Sequence, residues 1–382
     1  MNKPKICLIE PCHSHEEVLF PMINLLRDDY DVHVLAPQSL LDVDILSRTR
    51  RLYTGVPIRW DQEAARWRRL LRMPGKYREI RHLVDSIGPE VVVFNSTYER
   101  SDLMLIDAFF KGIPKAQVIH NFQRFLKPGM RRIYEAFDLN LVISEEVYGY
   151  VTEHQPEYRS LDYFLPIFFG GFEAGGGTAA PPPTEPDPIL HLGVFGSAGN
   201  YRRNYQGLLR SLTAWGRSDR APGFVLHLVG ELPGEYRDFV NRHDLGHVVR
   251  CHDQFVPFEE MFRILRSVDI VLFLIDATVR DCAAYNRCKI TGSSTLIKGF
   301  RKACAASRDF KLDEILEDKC FLYDGSHVEE LFESIANGSI DKAAVREREA
   351  RYEGNLLLTR EEQKARLVRA LKGVRAARAG AA

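Results

Sequence analysis

Residues 190–212 read LHLGVFGSAGNYRRNYQGLLRSL, and this stretch is the clearest indication of the fold. An apolar run ends at Gly196, small residues occupy positions 197–199, and a helical pattern begins near Arg203. Strand, tight turn and helix in this order form the repeating unit of α/β domains. Small residues let the backbone approach a ligand, and a helix start presents N–H groups to an anion. The stretch therefore predicts an α/β domain with an anion-binding turn; a plain strand-to-helix turn is the alternative.

Apolar runs of this kind recur along the chain, separated by segments with a helical period. They read KICLIEP, DVHVLAP, EVVVFN, AQVIHN and LNLVIS in the first half, and LHLGVFG, FVLHLVG, VVRCHD, DIVLFLID, KACAAS and CFLYD in the second. The runs are apolar throughout rather than alternating, which is typical of parallel strands with helices on both faces of the sheet. The sequence therefore predicts an α/β protein with parallel sheets.

The composition changes abruptly at residues 170–188, GGFEAGGGTAAPPPTEPDP, where glycine and proline oppose both helix and strand. We interpret this segment as a linker between two Rossmann-like domains, at residues 1–169 and 189–358. The final segment, 359–382, predicts a basic amphipathic helix that starts with a capping-box pattern. Two such domains that face each other place the carboxyl ends of both sheets around one cleft, where open α/β folds bind ligands.

The overall composition argues against several classes of protein. The 382 residues contain 52 Lys plus Arg and 52 Asp plus Glu, so no net charge favours general nucleic-acid binding. The seven cysteines lack zinc-site spacing, and the sequence has neither a secretory signal nor an apolar run of roughly 18 residues. Asp42 and Asp44 form a DxD pattern that we interpret as a helix cap rather than a metal site. These features predict a cytoplasmic protein without a metal.

A second stretch, residues 286–307, has the same character as the first. It reads NRCKITGSSTLIKGFRKACAAS, in which a hydroxyl-rich loop precedes a helix and then a small-residue strand. Hydroxyls and N–H groups at a helix start favour an oxyanion, and arginine can hold phosphate oxygens in a bidentate manner. Together the two turns predict a diphosphate site formed by Gly196, Ser197, Arg202, Arg203, Lys289, Thr291, Gly292, Ser293 and Ser294. An ordinary Ser/Thr helix cap is the alternative for the second turn.

Both stretches resemble the donor-binding domain of retaining glycosyltransferases of family four (glycosyl transferases group 1), which have the GT-B fold. Arg203 falls at the position of the family's phosphate-binding basic residue. Cys288 and Leu296 occupy the spacing of the two glutamates that hold sugar and ribose hydroxyls in the family. Asp281 and Asn286 are therefore the nearest candidates for hydroxyl recognition. The resemblance implies a nucleotide diphosphate sugar as donor and retention of configuration.

Polar residues also follow the strands of the first domain. After KICLIEP the chain reads CHSHEEVL, and His with Glu in such a loop suits proton transfer near neutral pH. We predict His15 and Glu16 as catalytic candidates there, with a helix cap as the alternative. His120 closes AQVIHN and resembles a His at the same strand end in the family, which faces the reacting sugar; a core histidine is the alternative. The loops after KICLIEP and EVVVFN supply the acceptor-binding candidates His13, Ser96, Tyr98 and Glu99.

Residues 47–82 form a strongly basic segment that contains Trp60 and Trp67. Tryptophan among arginines is typical of a peripheral helix on anionic lipid. A solvated basic helix is the alternative, and nucleic acid is a weaker one, since no nucleic-acid-binding motif accompanies the segment. The basic C-terminal helix would add to this surface or cross back onto the first domain, as in GT-B enzymes.

The sequence thus predicts a GT-B glycosyltransferase that moves a sugar from a nucleotide diphosphate sugar to a glycan or lipid-linked acceptor. Arg203 and Lys289 would neutralise the leaving diphosphate, so we expect neither a metal nor a cofactor. Three other interpretations stay open: a GT-B subunit that binds nucleotide or glycan without catalysis, a GT-B nucleotide-sugar epimerase, and a two-domain binding protein of the periplasmic type.

Overall fold

The computed structural model describes residues 3–12, 14–58, 66–96, 100–169, 188–196, 202–216, 223–252 and 256–379. The chain forms two compact units. Unit 1 comprises Met1–Gly170, Cys288–Ile290 and Leu356–Ala382, and unit 2 comprises Gly171–Arg287 and Thr291–Asn355. Apart from Pro188, the predicted linker lies outside the described residues.

Unit 1 is built on a seven-stranded parallel sheet. Its strands are β1 (Lys5–Ile9), β2 (Asp31–Pro37), β3 (Thr54–Ile58), β4 (Val91–Phe94), β5 (Lys115–Ile119), β6 (Leu139–Val142) and β7 (Leu161–Tyr163). They are ordered β3-β2-β1-β4-β5-β6-β7, and each neighbouring pair is parallel. Strands β4, β5 and β6 are buried along their whole length. This burial explains why these strands are mostly apolar, because both faces of the sheet are covered.

The helices of unit 1 connect these strands. Before unit 2 they are α1 (Glu16–Leu26), α2 (Gln38–Leu41), α3 (Asp44–Ser47), α4 (Arg66–Ile87), α5 (Arg100–Phe109), α6 (Arg131–Tyr134) and α7 (Glu145–His154). Helix α7 shows why the chain turns helical there: the Ser144 hydroxyl accepts a hydrogen bond from the N–H of Val147 at 3.2 Å. That bond satisfies one of the N–H groups left without an intrahelical partner at a helix start.

Unit 2 is built on a six-stranded parallel sheet. Its strands are β8 (Leu190–Phe195), β9 (Phe224–Val229), β10 (Val249–His252), β11 (Ile270–Leu272), β12 (Ala303–Ser307) and β13 (Cys320–Tyr323), ordered β10-β9-β8-β11-β12-β13. Its helices are α8 (Tyr205–Gly216), α9 (Gly234–Arg242), α10 (Phe258–Ser267), α11 (Cys282–Tyr285), α12 (Gly292–Phe300), α13 (Glu314–Glu317), α14 (Glu329–Ala336) and α15 (Lys342–Ala350). The core of the unit lies where β8 and β9 pack against α8 and α14, around Leu208, Phe224 and Phe332.

The last helix, α16 (Arg360–Ala379), follows unit 2 in the chain but belongs to unit 1. Its buried face carries Leu367, Leu371 and Val374, which the sequence places at helical spacing. It packs on α1 and contacts strands β4 to β7. The C-terminal helix therefore crosses back onto the first domain, which was one of the two sequence-based alternatives.

Both sheets have the Rossmann strand order, in which the first strand of the unit lies in the middle. The order reverses beside that strand, between β1 and β4 in unit 1 and between β8 and β11 in unit 2. The parallel α/β prediction and all eleven predicted strands are confirmed. In such sheets the ligand crevice lies outside the carboxyl ends of the strands at the point of reversal.

Strand β3 and most of helix α4 fall in the basic segment 47–82, for which a peripheral membrane helix was one interpretation. Within the described parts of the chain, no helix has the length and apolar character needed to cross a bilayer.

Candidate functional site

The turn after β8 is held close to the turn after β9. Gly196 directly follows β8 with φ 104°, and Gly230 directly follows β9 with φ 137°; both angles are in the region that favours glycine. A Cβ placed on Gly230 would lie 2.6 Å from the carbonyl oxygen of Gly196. The two strand ends therefore meet backbone to backbone, which leaves no room for a side chain.

Arg203 joins the two turns that the sequence predicts as anion-binding. Its side chain is buried, and a Cβ on Gly196 would lie 3.1 Å from both terminal guanidinium nitrogens. The Arg203 Nη2 donates to the hydroxyl of Ser293 at 3.1 Å, at the start of α12. Ser293 itself is 1% exposed, and its hydroxyl lies 3.5 Å from the carbonyl oxygen of Phe195. Within unit 2, a guanidinium thus lies between the end of β8 and the first turn of α12.

Asn204 fixes the start of α8 against β11, although the sequence analysis did not single it out. Its N–H donates to the carbonyl of Leu274 at 2.7 Å, and its side-chain amide donates to Asp276 Oδ2 at 2.6 Å. Its Oδ1 accepts from the N–H of Gly207 at 2.7 Å. Both partners on the β11 side follow the strand at the point where the strand order reverses. An asparagine directly before a helical run is a helix-cap signal that could have identified it.

The hydroxyls before α12 are used within the chain. Thr291 is the N-cap of α12, and its hydroxyl accepts from the N–H of Ser293 at 3.1 Å. The Ser294 hydroxyl lies 3.4 Å from Asp313 Oδ2, and Asp313 forms a buried ion pair with Lys298 at 2.7 Å. The helix-cap interpretation therefore accounts for Thr291, while Ser293 faces Arg203.

The other candidates for the donor site lie in several environments. Lys289 clusters with unit 1, where it forms an antiparallel bridge with Asn121. Asn286 bonds the loop at residues 309–311: its amide donates to the Asp309 carbonyl at 2.8 Å, and its oxygen accepts from the N–H of Lys311 at 2.9 Å. Asp281 precedes α11 and lies 3.7 Å from the Arg280 guanidinium. Arg202 is exposed and Gly292 is the first residue of α12, whereas Ser197 lies outside the described residues.

In unit 1 a fully buried carboxylate, Glu10, follows β1. It accepts from Ser96 Oγ at 2.5 Å, from Asn95 Nδ2 at 2.8 Å and from the N–H of Cys12 at 2.8 Å. Burial raises the pKa of Glu10 to about 7, although the hydrogen bond from Ser96 and the charge of His15 favour the ionised form. A carboxyl poised near neutral pH is suited to general acid–base work.

Two histidines and a second carboxylate lie beside this group. The rings of His15 and His120 have centroids 3.9 Å apart, and His15 Nδ1 lies 3.0 Å from Glu17 Oε1. His15 is the residue before α1 and has a left-handed backbone with φ 72°. Strain of this kind in a non-glycine residue is characteristic of functional sites.

The pKa of His15 is raised, whereas the pKa of His120 is lowered. Burial lowers the pKa of His15, but the carboxylates of Glu17 and Glu10 outweigh it and raise the pKa overall. Burial and the neighbouring His15 charge lower the pKa of His120 to about 3. The pair therefore contains one histidine that accepts a proton readily and one that stays neutral.

The remaining sequence candidates of unit 1 lie at the same edge of the sheet where they are described. Glu16 is buried in the first turn of α1, where burial and then the charge of Glu17 raise its pKa to about 7. Ser96 bonds Glu10, and His120 bonds the Asn95 carbonyl at 2.8 Å. His13, Tyr98 and Glu99 lie outside the described residues.

Sequence reasoning missed Glu10 and Glu17. The signal for Glu10 was available, since a charged residue closes the otherwise apolar run KICLIEP at the carboxyl end of the central strand. Glu17 is one residue beyond the predicted Glu16, and its bond with His15 depends on the left-handed turn before α1.

Comparison with solved structures shows what this fold is similar to. A sucrose-phosphate synthase from Thermosynechococcus elongatus superposes with a TM-score of 0.66 at 11% identity, over 98% of this chain and 100% of that one. A glycosyltransferase from Rickettsia africae gives 0.64 at 8% identity, over 98% and 99%. A UDP-GlcNAc 2-epimerase from Neisseria meningitidis, bound to UDP-GlcNAc, gives 0.61 at 11% identity, over 97% and 100%.

No protein-family model matches the sequence, and no curated protein matches it either. The likenesses are of structure at low identity and extend over nearly the full length of each chain. They show that the chain has the two-domain GT-B fold, as the sequence resemblance implied.

Proposed function

We propose that this protein is a glycosyltransferase that moves a sugar from a nucleotide diphosphate sugar to a glycan or lipid-linked acceptor. One observation in unit 2 supports the proposal most strongly. The Arg203 guanidinium lies beside Gly196 in the turn after β8 and donates to Ser293 in the first turn of α12. Two helices, α8 and α12, begin beside this guanidinium, and both helix starts favour an anion. A diphosphate is the ligand whose charge and two phosphate groups suit this arrangement.

In this proposal the guanidinium and the helix starts neutralise the charge that develops on the leaving diphosphate, so the donor needs no metal. Lys289 adds a further positive charge, and Asp281 and Asn286 are the candidates for ribose or sugar hydroxyls. Retention of configuration follows from the resemblance to family four. No further cofactor is proposed.

Unit 1 has the acceptor role in this proposal. His15 and Glu16 transfer protons there, and Glu10 with a pKa of about 7 joins them as a general base candidate. His120 holds a donor-sugar hydroxyl, and His13, Ser96, Tyr98 and Glu99 contact the acceptor. The basic segment 47–82 would place the protein at an anionic membrane from the cytoplasmic side when the acceptor is lipid-linked.

The test is thermal stabilisation by nucleotide diphosphates. One of UDP, GDP and ADP should raise the melting temperature, because a ligand that binds the folded state at 100 times its Kd stabilises it by about 2.7 kcal/mol. Arg203→Lys should weaken that nucleotide at least about tenfold, since lysine cannot replace a bidentate guanidinium. Arg210→Ala, on the exposed side of the same helix α8, serves as the matched control and should respond as the wild type does.

Two outcomes would contradict the donor site. A wild type that responds to none of the three nucleotides would favour a GT-B subunit without catalysis. An Arg203→Lys variant that keeps the full response would show that the diphosphate does not bind beside the first turn of α12.

A second candidate function, a nucleotide-sugar epimerase, is favoured by the titratable cluster of Glu10, His15 and Glu17. Epimerisation breaks a carbon–hydrogen bond and restores it with a proton from solvent, which needs acid and base groups but no acceptor. Incubation of UDP-GlcNAc with the protein in D₂O separates the two functions. Deuterium incorporated into the sugar would support the epimerase, whereas a transferase leaves the carbon–hydrogen bonds intact.

A further inference from the structure

Three potential metal ligands of unit 1 converge at the carboxyl edge of its sheet. One side-chain ligand atom each of His15, Glu17 and His120 lies within 4.8 Å of the other two. His15 and Glu17 flank the start of α1, and His120 follows β5. All three residues are partly buried, so their side chains are held by the fold rather than extended into solvent.

The His120 ring has the hydrogen-bond pattern that metal-binding imidazoles show. Its Nε2 lies 2.8 Å from the carbonyl oxygen of Asn95. A carbonyl oxygen can only accept, so Nε2 carries the hydrogen and the lone pair of the neutral ring is on Nδ1. Metal-ligating histidines characteristically donate their other ring N–H to a backbone carbonyl or carboxylate, which fixes ring and tautomer.

The pair of His15 and Glu17 is hydrogen-bonded, at a spacing slightly shorter than that of two ligands on one ion. Its nitrogen and oxygen are 3.0 Å apart. Two ligands at about 2.0–2.2 Å from one tetrahedral zinc ion lie roughly 3.3–3.6 Å from each other, so the pair would open by about 0.3–0.6 Å to hold an ion. An ion can therefore replace the proton that this pair shares, with little movement of either side chain.

We propose that His15, Glu17 and His120 form a binding site for a divalent transition-metal ion, with Zn²⁺ as the best match. Two imidazoles and one carboxylate are a ligand set of catalytic zinc sites, in which the fourth position is open to water or a hydroxyl oxygen. The His15 and His120 rings already lie side by side, with centroids 3.9 Å apart, so both imidazoles can reach one ion. Metal binding is measured directly and does not require the transferase function. A bound ion would occupy the ring nitrogens of His15 and His120, so in the metal-bound protein the proton transfer proposed above would fall to Glu10 and Glu16.

The test is calorimetric titration of Zn²⁺ into the full chain after dialysis against a chelator. We expect one ion per chain in the wild type. Glu17→Gln and His120→Gln should each weaken the binding at least about 100-fold, more than the 10–100-fold typical of groups behind the ligands. Circular dichroism of both variants checks that they fold; Glu17 is one-third exposed, so its change to glutamine is the milder one.

The pair His327 and Glu329 provides a matched control. It has the same sequence spacing and a 2.8 Å bond between the same atom types, but among the described residues it belongs to no three-ligand group. His327→Gln combined with Glu329→Gln should leave the zinc affinity unchanged. The proposal is overturned if the wild type binds no stoichiometric ion, or if the Glu17 and His120 variants bind zinc as tightly as the wild type.

A further variant tests whether the ion binds at a different place in the protein. His191, His227 and His252 lie on neighbouring strands of unit 2 and form another histidine cluster among the described residues. Loss of binding in His227→Gln, with retention in Glu17→Gln, would place the ion there and would also overturn the proposal.

Discussion

Gly230 is the residue on which the close approach of the β8 and β9 turns depends. Its φ of 137° is strained for any other residue, and its missing Cβ leaves space for the Gly196 carbonyl. The neighbour at 2.6 Å is backbone, which cannot rotate away as a side chain can. The geometry around Arg203 therefore depends on Gly230, although this glycine has no ligand-binding role in the proposed function.

Gly230→Ala should destabilise the protein by on the order of 2 kcal/mol or more, because alanine adds both backbone strain and a backbone clash. Gly234→Ala is the control, since a Cβ there meets nothing within 4 Å at the start of α9. Differential scanning calorimetry should show a lower melting temperature for the first variant and an equal or higher one for the second. Equal melting temperatures for both would show that the β8 turn can move aside.

Single residues were predictable where their partners are close in sequence or where a motif brings them together. Gly196, Arg203 and Ser293 belong to two local patterns of strand, turn and helix, and both patterns are in the sequence. The sequence shows Glu10 as a charged residue at a strand end, but its hydrogen-bond partners were not predictable, because Asn95 and Ser96 are 85 and 86 residues away. Its raised pKa is a consequence of burial, which composition does not reveal.

Three adjacent strands of unit 2 share a ladder of imidazoles. His191 on β8 lies 3.0 Å from His227 on β9, and the other nitrogen of His227 lies 3.0 Å from His252 on β10. Burial, followed by the positive charge of the two neighbours, lowers the pKa of His227 to about 4. The ladder is compatible with a neutral His227 ring and opposes its protonation.

The ladder predicts loss of stability in acid. The unfolded chain protonates His227 near pH 6.5, whereas the folded chain does so near pH 4. Between these values the unfolded state binds more protons, so the free energy of unfolding falls as the pH falls. Between pH 7 and pH 5 the free energy that protects the amides of β8 to β10 from exchange should fall in the wild type. The fall should be roughly 2 kcal/mol larger than in His227→Gln. Hydrogen exchange measured by mass spectrometry gives this difference.

His247→Gln, an exposed histidine of the same unit, is the control for that measurement and should follow the wild type. A His227→Gln variant that loses protection in acid as steeply as the wild type would mean that the acid response has its origin in other groups.

Whole strands were predictable when they are long and apolar, and two were missed for a physical reason. Strand β3, TGVPI, contains Gly55 and Pro57, which weaken a strand signal and are tolerated at the edge of a sheet. Strand β7 has three residues and lies at the opposite edge. Edge strands bury less apolar surface, so their sequences carry less of the hydrophobic pattern.

The two units are not consecutive halves of the chain, because unit 1 contains both the first part of the chain and its last helix. Helix α16 returns to unit 1, where Gln363 Oε1 accepts from the buried N–H of Leu165 at 2.8 Å. Arg360 and Lys364 form ion pairs with Asp28 at 2.8 and 3.3 Å. The amphipathic pattern of the helix was visible in the sequence, but its charged residues suited a lipid surface as well as these aspartates. The tertiary contacts show that the helix crosses back onto unit 1.

The stability of unit 1 should therefore depend on residues at the far end of the chain. Leu371 is fully buried in α16, whereas Leu356, before the helix, is 73% exposed. Leu371→Ala should cost about 2–5 kcal/mol through lost burial and a cavity, and Leu356→Ala should cost almost nothing. Hydrogen exchange should rise in α1 and in β4 to β7, which α16 contacts, and should stay unchanged in the strands of unit 2. If exchange rose in unit 2 instead, with α1 unaffected, α16 would not be part of the fold of unit 1.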